Sequence, residues 1–270
     1  MNPLTLLVIA LGLSSLLMLA VWIVAMRIRN AGIVDIAWAL GFAPLAVLYR
    51  VFGDGDPTRQ NLVTLMVVLW SVRLGHHLWK RVMGHHPIED GRYAEMRRAV
   101  AGREGVAFFW FFQAQAVLLV LLSIPCFLIN ADPRVHLGIT DFIGVTLWVV
   151  ALGGESLADR QLAAFKANPS SRGKVCDVGL WRLSRHPNYF FEWLIWVALF
   201  VMALPAPWGI VSIFAPALML FLLLKVTGIP YTEQQAVRSK GDAYRRYQQT
   251  TSAFFPWFPK PDSTHPTDPA

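Results

Sequence analysis

Cations, a ring nitrogen, an amide and a carboxylate crowd against a long apolar segment in residues 179–192. Arg185 and His186 can donate hydrogen bonds, and Asn188 and Glu192 share one helical face because they are four residues apart. Polar groups rarely meet lipid without a polar partner. This stretch therefore predicts a polar ligand site where the chain enters a membrane.

A second group of polar residues precedes that stretch. Glu155 and Asp159 are four residues apart and so share one helical face. They could accept hydrogen bonds from an amide or a ribose, while Lys166 and Lys174 hold phosphates. A solvated surface carboxylate is the alternative interpretation of Asp159.

Asp35 is a carboxylate about one turn into an apolar segment. A charged group within a membrane span costs about 2.5–3.5 kcal/mol on insertion scales, so it is a site hypothesis by default. The alternative is a structural carboxylate that pairs with a basic residue of a neighbouring helix. Both interpretations of Asp35 stay open at this point.

The segment that follows Asp35 offers further candidates. Arg73 and His77 share a helical face in a cationic stripe, which suits a phosphate-bearing ligand, although snorkelling to lipid headgroups also explains such a stripe. Tyr93 is a phenol near cations and can donate a proton to an oxygen that gains charge. The four histidines between residues 76 and 86 complete no coordination shell, so we expect no metal site.

The elements that position these residues are transmembrane helices. The chain has 270 residues, of which 55% are hydrophobic and 15% charged, and apolar runs of about 20 residues recur. We expect an all-α integral membrane protein with a seven-transmembrane-helix bundle. The predicted spans cover residues 3–26, 32–52, 61–79, 106–129, 138–158, 188–204 and 208–228.

Lysine and arginine concentrate in the loops 80–105 and 159–187 and in the tail 229–270. By the positive-inside rule these face the cytoplasm, so we expect the N-terminus outside and the C-terminus in the cytoplasm of an inner-membrane protein. Merging the segments around Pro205 and Pro207 gives a six-span alternative. Because the net charge of +7 is spread over loops, we expect no nucleic-acid partner.

We expect one membrane domain over residues 1–258 and a disordered, proline-rich tail over 259–270. Cys126 and Cys176 are expected to be free thiols. The first apolar run is too long for a signal-peptide core and is expected to be a retained helix. No soluble-cofactor motif occurs, so any cofactor must be held by the bundle.

Three segments, Asn30–Trp38, Glu89–Tyr93 and Glu155–Glu192, resemble the DUF1295 branch of the steroid 5-alpha-reductase family, and its bacterial homologues in particular. The resemblance covers roughly residues 25–260. It implies a seven-helix membrane enzyme that uses NADPH to reduce the carbon–carbon double bond of a 3-oxo-Δ4 steroid or a similar lipophilic enone. We expect a monomer in contact with membrane lipid.

The resemblance also implies which residues bind the cofactor. Glu155 stands where relatives often have asparagine, and Glu233 stands where steroid-reducing relatives have histidine. The aromatic and basic segment that holds Tyr244 could instead be an interfacial helix. The predicted cofactor-binding set is Glu155, Asp159, Lys166, Lys174, Arg185, His186, Asn188, Tyr189, Glu192, Glu233 and Tyr244.

The implied reaction delivers a hydride to the β-carbon of the enone, while an acid polarises the ketone and the enolate is protonated at the α-carbon. Relatives hold the ketone with a glutamate and a tyrosine in early helices, and the third span here has no clean tyrosine match. The catalytic candidates are therefore Asp35, Arg73, His77 and Tyr93.

Two alternatives remain open. The Arg-His-Pro-x-Tyr core of residues 185–189 also occurs in membrane methyltransferases of the isoprenylcysteine type, which bind S-adenosylmethionine. S-adenosylmethionine carries no phosphate, so the surplus of cations favours a dinucleotide. A transporter or lipid-binding bundle is the other alternative, and it leaves the polar cluster without a role.

Overall fold

The computed structural model describes residues 1–261, which form helices with short connections and no strand. Most of the predicted disordered tail, residues 262–270, lies outside the described residues. The α-helices are α1 Pro3–Ile28, α2 Ile33–Phe52, α3 Pro57–Met83, α4 Gly91–Ala99, α5 Glu104–Asn130, α6 Ile139–Ala167, α7 Leu180–Leu183, α8 Pro187–Ala203, α9 Phe214–Phe221, α10 Ile229–Lys240 and α11 Asp242–Thr250.

Six helical stretches are long and apolar enough to cross a membrane in the described part of the chain. They are α1, α2, α3, α5, α6 and the continuous stretch Gly209–Lys240, which contains a 3-10 turn at its start and a π-helical turn at Leu222–Val226. The helix α8 is apolar but shorter, with 17 residues. The chain is thus a multi-pass membrane protein, while the predicted count of seven spans and the orientation stay predictions.

The observed helix α6 extends beyond its predicted end near residue 158 and finishes at Ala167. Asp159 and Lys166 therefore lie on a helix, whereas the sequence placed them in a loop. Likewise, the predicted loop 80–105 contains the helix α4, and Asp90 caps its first turn by accepting the N–H of Arg92. Both loop assignments were wrong at these points because hydropathy marks lipid-facing length rather than helix length.

The chain divides into two compact units. Unit 1 comprises Met1–Ile143 and Leu199–Ala215, and unit 2 comprises Gly144–Ala198 and the chain from Pro216 onward. The prediction of a single domain over 1–258 stays a prediction. Each unit is described below on its own terms.

In unit 1, α2 contacts α1, α3 and α5. Glycine makes the approach of α2 to α3 possible, since a Cβ on Gly75 would lie 2.4 Å from Leu40 Cδ2. Gly41 has the same role toward α5, where a Cβ would lie 2.7 Å from Leu119 Cδ1. Close packing at these positions fixes α2, and with it Asp35, relative to its neighbours.

One arginine ties the other end of unit 1 together. Arg59, in the first turn of α3, is fully buried with Asp132 and Asp141. Its Nε and Nη2 donate to the Asp141 carboxylate at 3.1 Å each, and its Nη1 and Nη2 donate to the Arg134 and His136 carbonyls at 2.6 Å each. A buried guanidinium is stable only when its donors are satisfied in this way.

In unit 2, α6 packs against α8 and against the short helix α7. A Cβ on Gly154 would lie 2.4 Å from a ring carbon of Phe191, so this position admits only glycine at that distance. The Trp181 indole donates to the Ala158 carbonyl at 2.9 Å, and Gln161 accepts the N–H of Leu180 at 2.9 Å. These contacts hold the segment before α8 along the last turns of α6.

Replacing Arg59 by leucine should destabilise the protein by about 3–5 kcal/mol, because the buried Asp141 carboxylate loses its counter-charge and two carbonyls lose their donors. The half-buried Arg50, whose Nε donates to Asn61 at 2.6 Å, provides the control, since Arg50→Ala should cost less than about 1 kcal/mol. Thermal unfolding in detergent measures both. A similar loss in the two variants would contradict the structural role of Arg59.

Candidate functional site

Arg185 is the centre of the polar cluster in unit 2. Its Nε donates to Glu233 Oε1 at 2.6 Å, and its Nη1 donates to the carbonyls of Gln248 and Thr251 at 2.9 and 2.5 Å. Its backbone N–H donates to the Ser252 carbonyl at 2.8 Å. One side chain therefore joins the start of α8 to α10, to the end of α11 and to the segment that follows.

His186 and Tyr189 extend this cluster from the start of α8. His186 Nε2 lies 3.2 Å from Glu233 Oε1, and Gln248 Nε2 donates to the other carboxylate oxygen of Glu233 at 2.9 Å. The rings of His186 and Tyr189 stack at 5.4 Å with an interplanar angle of 5°. The Tyr189 hydroxyl reaches Thr232 Oγ1 at 3.3 Å, so both rings are held toward α10.

Burial determines the protonation states of His186 and Tyr244. It lowers the pKa of His186, and the hydrogen bond and charge of Glu233 only partly offset that effect. Burial also raises the pKa of Tyr244, with the charge of Glu233 acting in the same direction. We conclude that His186 is neutral and Tyr244 is a phenol at neutral pH.

An amide meets a carboxylate between α6 and α8. Asn188 Nδ2 donates to Asp159 Oδ1 at 3.3 Å. Glu155 lies one turn earlier on α6, and Glu192 lies one turn later on α8, where it accepts the Trp196 indole N–H at 3.3 Å. Glu155, Asp159 and Glu192 are 3%, 9% and 8% exposed. The structure thus brings the two polar helical faces together, and the alternative of a solvated Asp159 is wrong because this side chain is buried.

The two lysines that were predicted to bind phosphates lie outside the hydrogen-bonded groups around Arg185 and Asn188. Lys166 is on the last turn of α6, and Lys174 is in an exposed connection. Burial raises the pKa of the Cys176 thiol, while the charges of Lys240 and Lys166 partly oppose that rise. Both ammonium groups are therefore within electrostatic reach of one thiol. Lys240 was missed because sequence spacing does not bring the end of α10 to the end of α6.

Asp35 is the centre of the polar cluster in unit 1. The Tyr93 hydroxyl donates to Asp35 Oδ1 at 2.5 Å, and Arg92 and Arg81 donate to Oδ2 at 2.9 and 3.2 Å. Asp90 accepts a hydrogen bond from Arg92 Nε at 3.1 Å and so holds that guanidinium in place. The carboxylate therefore faces two cations and one phenol.

A second carboxylate positions α4 beside the start of α2. Glu89 accepts two hydrogen bonds from Arg97, at 2.7 and 3.0 Å, and one from the backbone N–H of Ala31 at 2.8 Å. The Arg97 guanidinium also lies 4.8 Å from the Phe108 ring centroid. These bonds fix the connection between α3 and α5 beside the start of α2, and Tyr93 is fixed as part of this connection.

The electrostatics keep Tyr93 protonated. Burial, followed by the charge of Asp35, raises the pKa of Tyr93 well above its ordinary value. Burial alone would lower the pKa of Arg92, but the charge of Asp35, together with those of Tyr93 and Asp90 and the hydrogen bond to Asp90, outweighs it and the pKa rises. For Asp90, burial would raise the pKa, and the hydrogen bonds and charge of Arg92 turn the shift downward. The cluster is thus a neutral phenol beside fixed charges.

The structure brings Asp35 and Tyr93 together as predicted, and it adds Arg81 and Arg92, which the predicted set lacked. The two arginines also agree with the alternative of a structurally paired carboxylate. Arg73 and His77 lie one turn apart on α3, and both are partly exposed. Their catalytic roles stay predictions.

A cleft of about 500 Å³ lies beside the segment that follows α11. Trp257 and Lys260 fix this segment, since the Trp257 N–H donates to the Leu183 carbonyl at 2.9 Å and the Lys260 N–H to the Thr250 carbonyl at 2.8 Å. The start of the predicted tail is therefore held in place. The lining residues are Arg185, Gln248, Gln249, Thr250, Thr251, Ser252, Ala253, Phe255, Trp257, Phe258 and Lys260.

The chain belongs to the DUF1295 family, which is described as a protein of unknown function and matches residues 21–251. The chain is also similar to an uncharacterized protein of Schizosaccharomyces pombe, C594.04c, with 26% identity over 275 residues that cover 92% of this chain and 79% of the relative. No solved structure matches significantly. None of these descriptions names an activity.

The lowered pKa of His186 predicts a pH dependence of stability. The folded protein takes up this proton less readily than the unfolded chain, so the contribution of His186 is complete above its ordinary pKa of 6.5 and is lost as pH falls through the lowered folded pKa. Between pH 7.5 and pH 5, the melting temperature should fall more for the wild type than for His186→Gln. Parallel curves would contradict the buried, neutral imidazole.

Proposed function

We propose that the protein is an NADPH-dependent reductase of the carbon–carbon double bond of a lipophilic enone, such as a 3-oxo-Δ4 steroid. The observation that carries the proposal is the amide Asn188 among the buried carboxylates Glu155, Asp159 and Glu192 in unit 2. Buried carboxylates are strong hydrogen-bond acceptors, so they suit ligands that present N–H and O–H donors. A carboxamide and ribose hydroxyls are donors of that kind.

The residues present in unit 2 fit a phosphorylated dinucleotide in two respects. The carboxylates and Asn188 provide acceptors and a donor for the amide and ribose parts. Lys166 and Lys240, which act on the same thiol, provide positive charge for phosphates. When bound, the cofactor would supply the hydride for the β-carbon of the enone.

Taken by itself, the Asp35 cluster of unit 1 can supply proton chemistry. The Tyr93 proton is engaged by Asp35, so an enone oxygen must replace Asp35 as the acceptor of that hydrogen bond. The charge that grows on the oxygen during reduction favours this exchange, and Arg92 and Arg81 offset the charge of Asp35. A fixed, protonated phenol can thus polarise the ketone and stabilise the enolate until the α-carbon is protonated.

A specific observation favours the methyltransferase alternative. The Arg185 donors Nε and Nη1 are engaged by Glu233 and by backbone carbonyls, so Arg185 contributes less to a phosphate site than its charge suggests. The buried carboxylates would equally suit the ammonium and sulfonium groups of S-adenosylmethionine. The two functions differ in their ligand, which makes binding the decisive measurement.

Thermal unfolding of the detergent-purified protein with NADPH, NADH and S-adenosylmethionine tests the proposal. A ligand present at about 100 times its Kd stabilises the folded state by about 2.7 kcal/mol, so NADPH should raise the melting temperature measurably. Asn188→Ala and Glu192→Ala should weaken NADPH binding more than Asp35→Ala. Stabilisation by S-adenosylmethionine alone, or equal NADPH affinity in the three variants, would refute the reductase proposal.

Replacing Tyr93 by phenylalanine should lower kcat by about 100-fold or more and leave NADPH affinity unchanged, because only the acid is removed. Oxidation of NADPH with a 3-oxo-Δ4 steroid probe measures this effect. Tyr49→Phe is the matched control, since Tyr49 is a buried tyrosine of the same unit whose hydroxyl bonds Ser123 at 2.8 Å. Equal rates in the two variants would exclude Tyr93 as the acid.

A further inference from the structure

We propose that the cleft beside residues 252–260 binds an anionic phospholipid, with the headgroup in the cleft and an acyl chain along the aromatic side chains. Residues 252–260 are called the strap here. The inference concerns a surface that the proposed reaction does not use, so it does not depend on that reaction. It depends only on the chain being a multi-pass membrane protein.

The strap is a fixed platform, although it contains no regular secondary structure. The Ser252 carbonyl accepts the Arg185 N–H at 2.8 Å, and the Phe254 carbonyl accepts Ser184 Oγ at 2.8 Å. Further along, Trp257 and Lys260 donate their backbone N–H groups to Leu183 and Thr250. The strap is thus bonded at intervals to the segment before α8 and to α11.

This platform presents large apolar side chains outward. Phe255, Trp257 and Phe258 are 55%, 73% and 80% exposed. Three neighbouring aromatic rings on a bonded backbone expose apolar surface that water does not favour, and such surface marks a contact with another molecule or with lipid. Tryptophan in particular is enriched where a membrane meets water.

The position of the strap relative to α8 favours lipid as the contact. Phe255 lies 5.9 Å from both Phe190 and Trp193, measured between ring centroids. These two residues belong to the first two turns of α8, within about 9 Å of the start of the helix at a rise of about 1.5 Å per residue. The strap therefore borders the apolar surface of α8 close to the point where that helix begins.

The charge of the cleft favours an anionic headgroup. Lys260 lines the cleft, and no aspartate or glutamate is among its lining residues in the described part of the chain. Arg185 also lines the cleft, but its charge is paired with Glu233, so Lys260 carries the positive charge available to a ligand. Hydroxyl and amide side chains such as Thr250, Ser252 and Gln249 provide donors for phosphate oxygens.

The cleft is separate from the residues proposed for the cofactor, of which Arg185 alone is among its lining residues. A phospholipid provides both a charged part for Lys260 and an acyl chain for the exposed rings of the strap. The combination of a cationic side chain and an aromatic rim beside the apolar helix α8 therefore favours a phospholipid.

Native mass spectrometry in detergent, titrated with phosphatidylglycerol and phosphatidylcholine, tests the site. Phosphatidylglycerol should bind at least fivefold more tightly than phosphatidylcholine. Lys260→Glu should weaken phosphatidylglycerol binding at least fivefold, and Trp257→Ala combined with Phe258→Ala should weaken binding of both lipids. The exposed residues Arg172 and Trp208 give matched controls, Arg172→Glu and Trp208→Ala, which should bind as the wild type does.

Equal affinity for the two lipids, or unchanged binding in Lys260→Glu, would overturn the proposal. Displacement of phosphatidylglycerol by NADPH would assign the cleft to the cofactor, and displacement by inorganic phosphate at equal concentration would assign it to free anions. Melting temperatures without lipid show that each variant is folded. Failure of NADPH to bind elsewhere would leave this result unaffected, so the two proposals fail independently.

Discussion

The arrangement of unit 2 depends on how one buried guanidinium is satisfied. The last carbonyls of a helix have no partner within it, and those of Gln248 and Thr251 at the end of α11 accept from Arg185. The same side chain pairs with Glu233 on α10. Removing Arg185 would leave two carbonyls unsatisfied and would take the counter-charge from the half-buried Glu233, so the register of α8, α10 and α11 is set together. The register of these three helices also determines where the His186 ring and the strap lie.

Unit 1 uses the same physical solution with the charges reversed. Here the buried or half-buried groups at the centre are the carboxylates Asp35 and Glu89, and the arginines come from the connection between α3 and α5. A connection that carries both acidic and basic side chains would be a solvated loop if those side chains contacted only water. Because each carboxylate engages an arginine and a further donor, the connection becomes a fixed cap over the start of α2, and Tyr93 is held as part of it.

The sequence predicted the helical class and the apolar spans well, because both depend on composition over about 20 residues. The spacing of four residues indicated that Glu155 shares a helical face with Asp159 and that Asn188 shares one with Glu192. The hydrogen bond between Asp159 and Asn188 was not predicted, because it joins two different helices. The end of α6 at Ala167 was not predictable from hydropathy, because its last turns are polar and lie beyond the apolar window. The partners of Arg59 lie 75 to 82 residues further along the chain, so no local pattern could indicate them.

The same limit affects the argument for a phosphate-bearing cofactor. A sequence shows how many cations a segment carries but not which of them are already neutralised, and Arg185 is largely engaged by Glu233 and by carbonyls. Lys240, in contrast, gains significance only because the fold brings it and Lys166 to the same thiol. The positive charge available to a ligand is therefore the number of cationic side chains minus the number already paired within the protein. The argument for a phosphate-binding site in unit 2 therefore depends on Lys166 at the end of α6 and Lys240 at the end of α10, and not on Arg185.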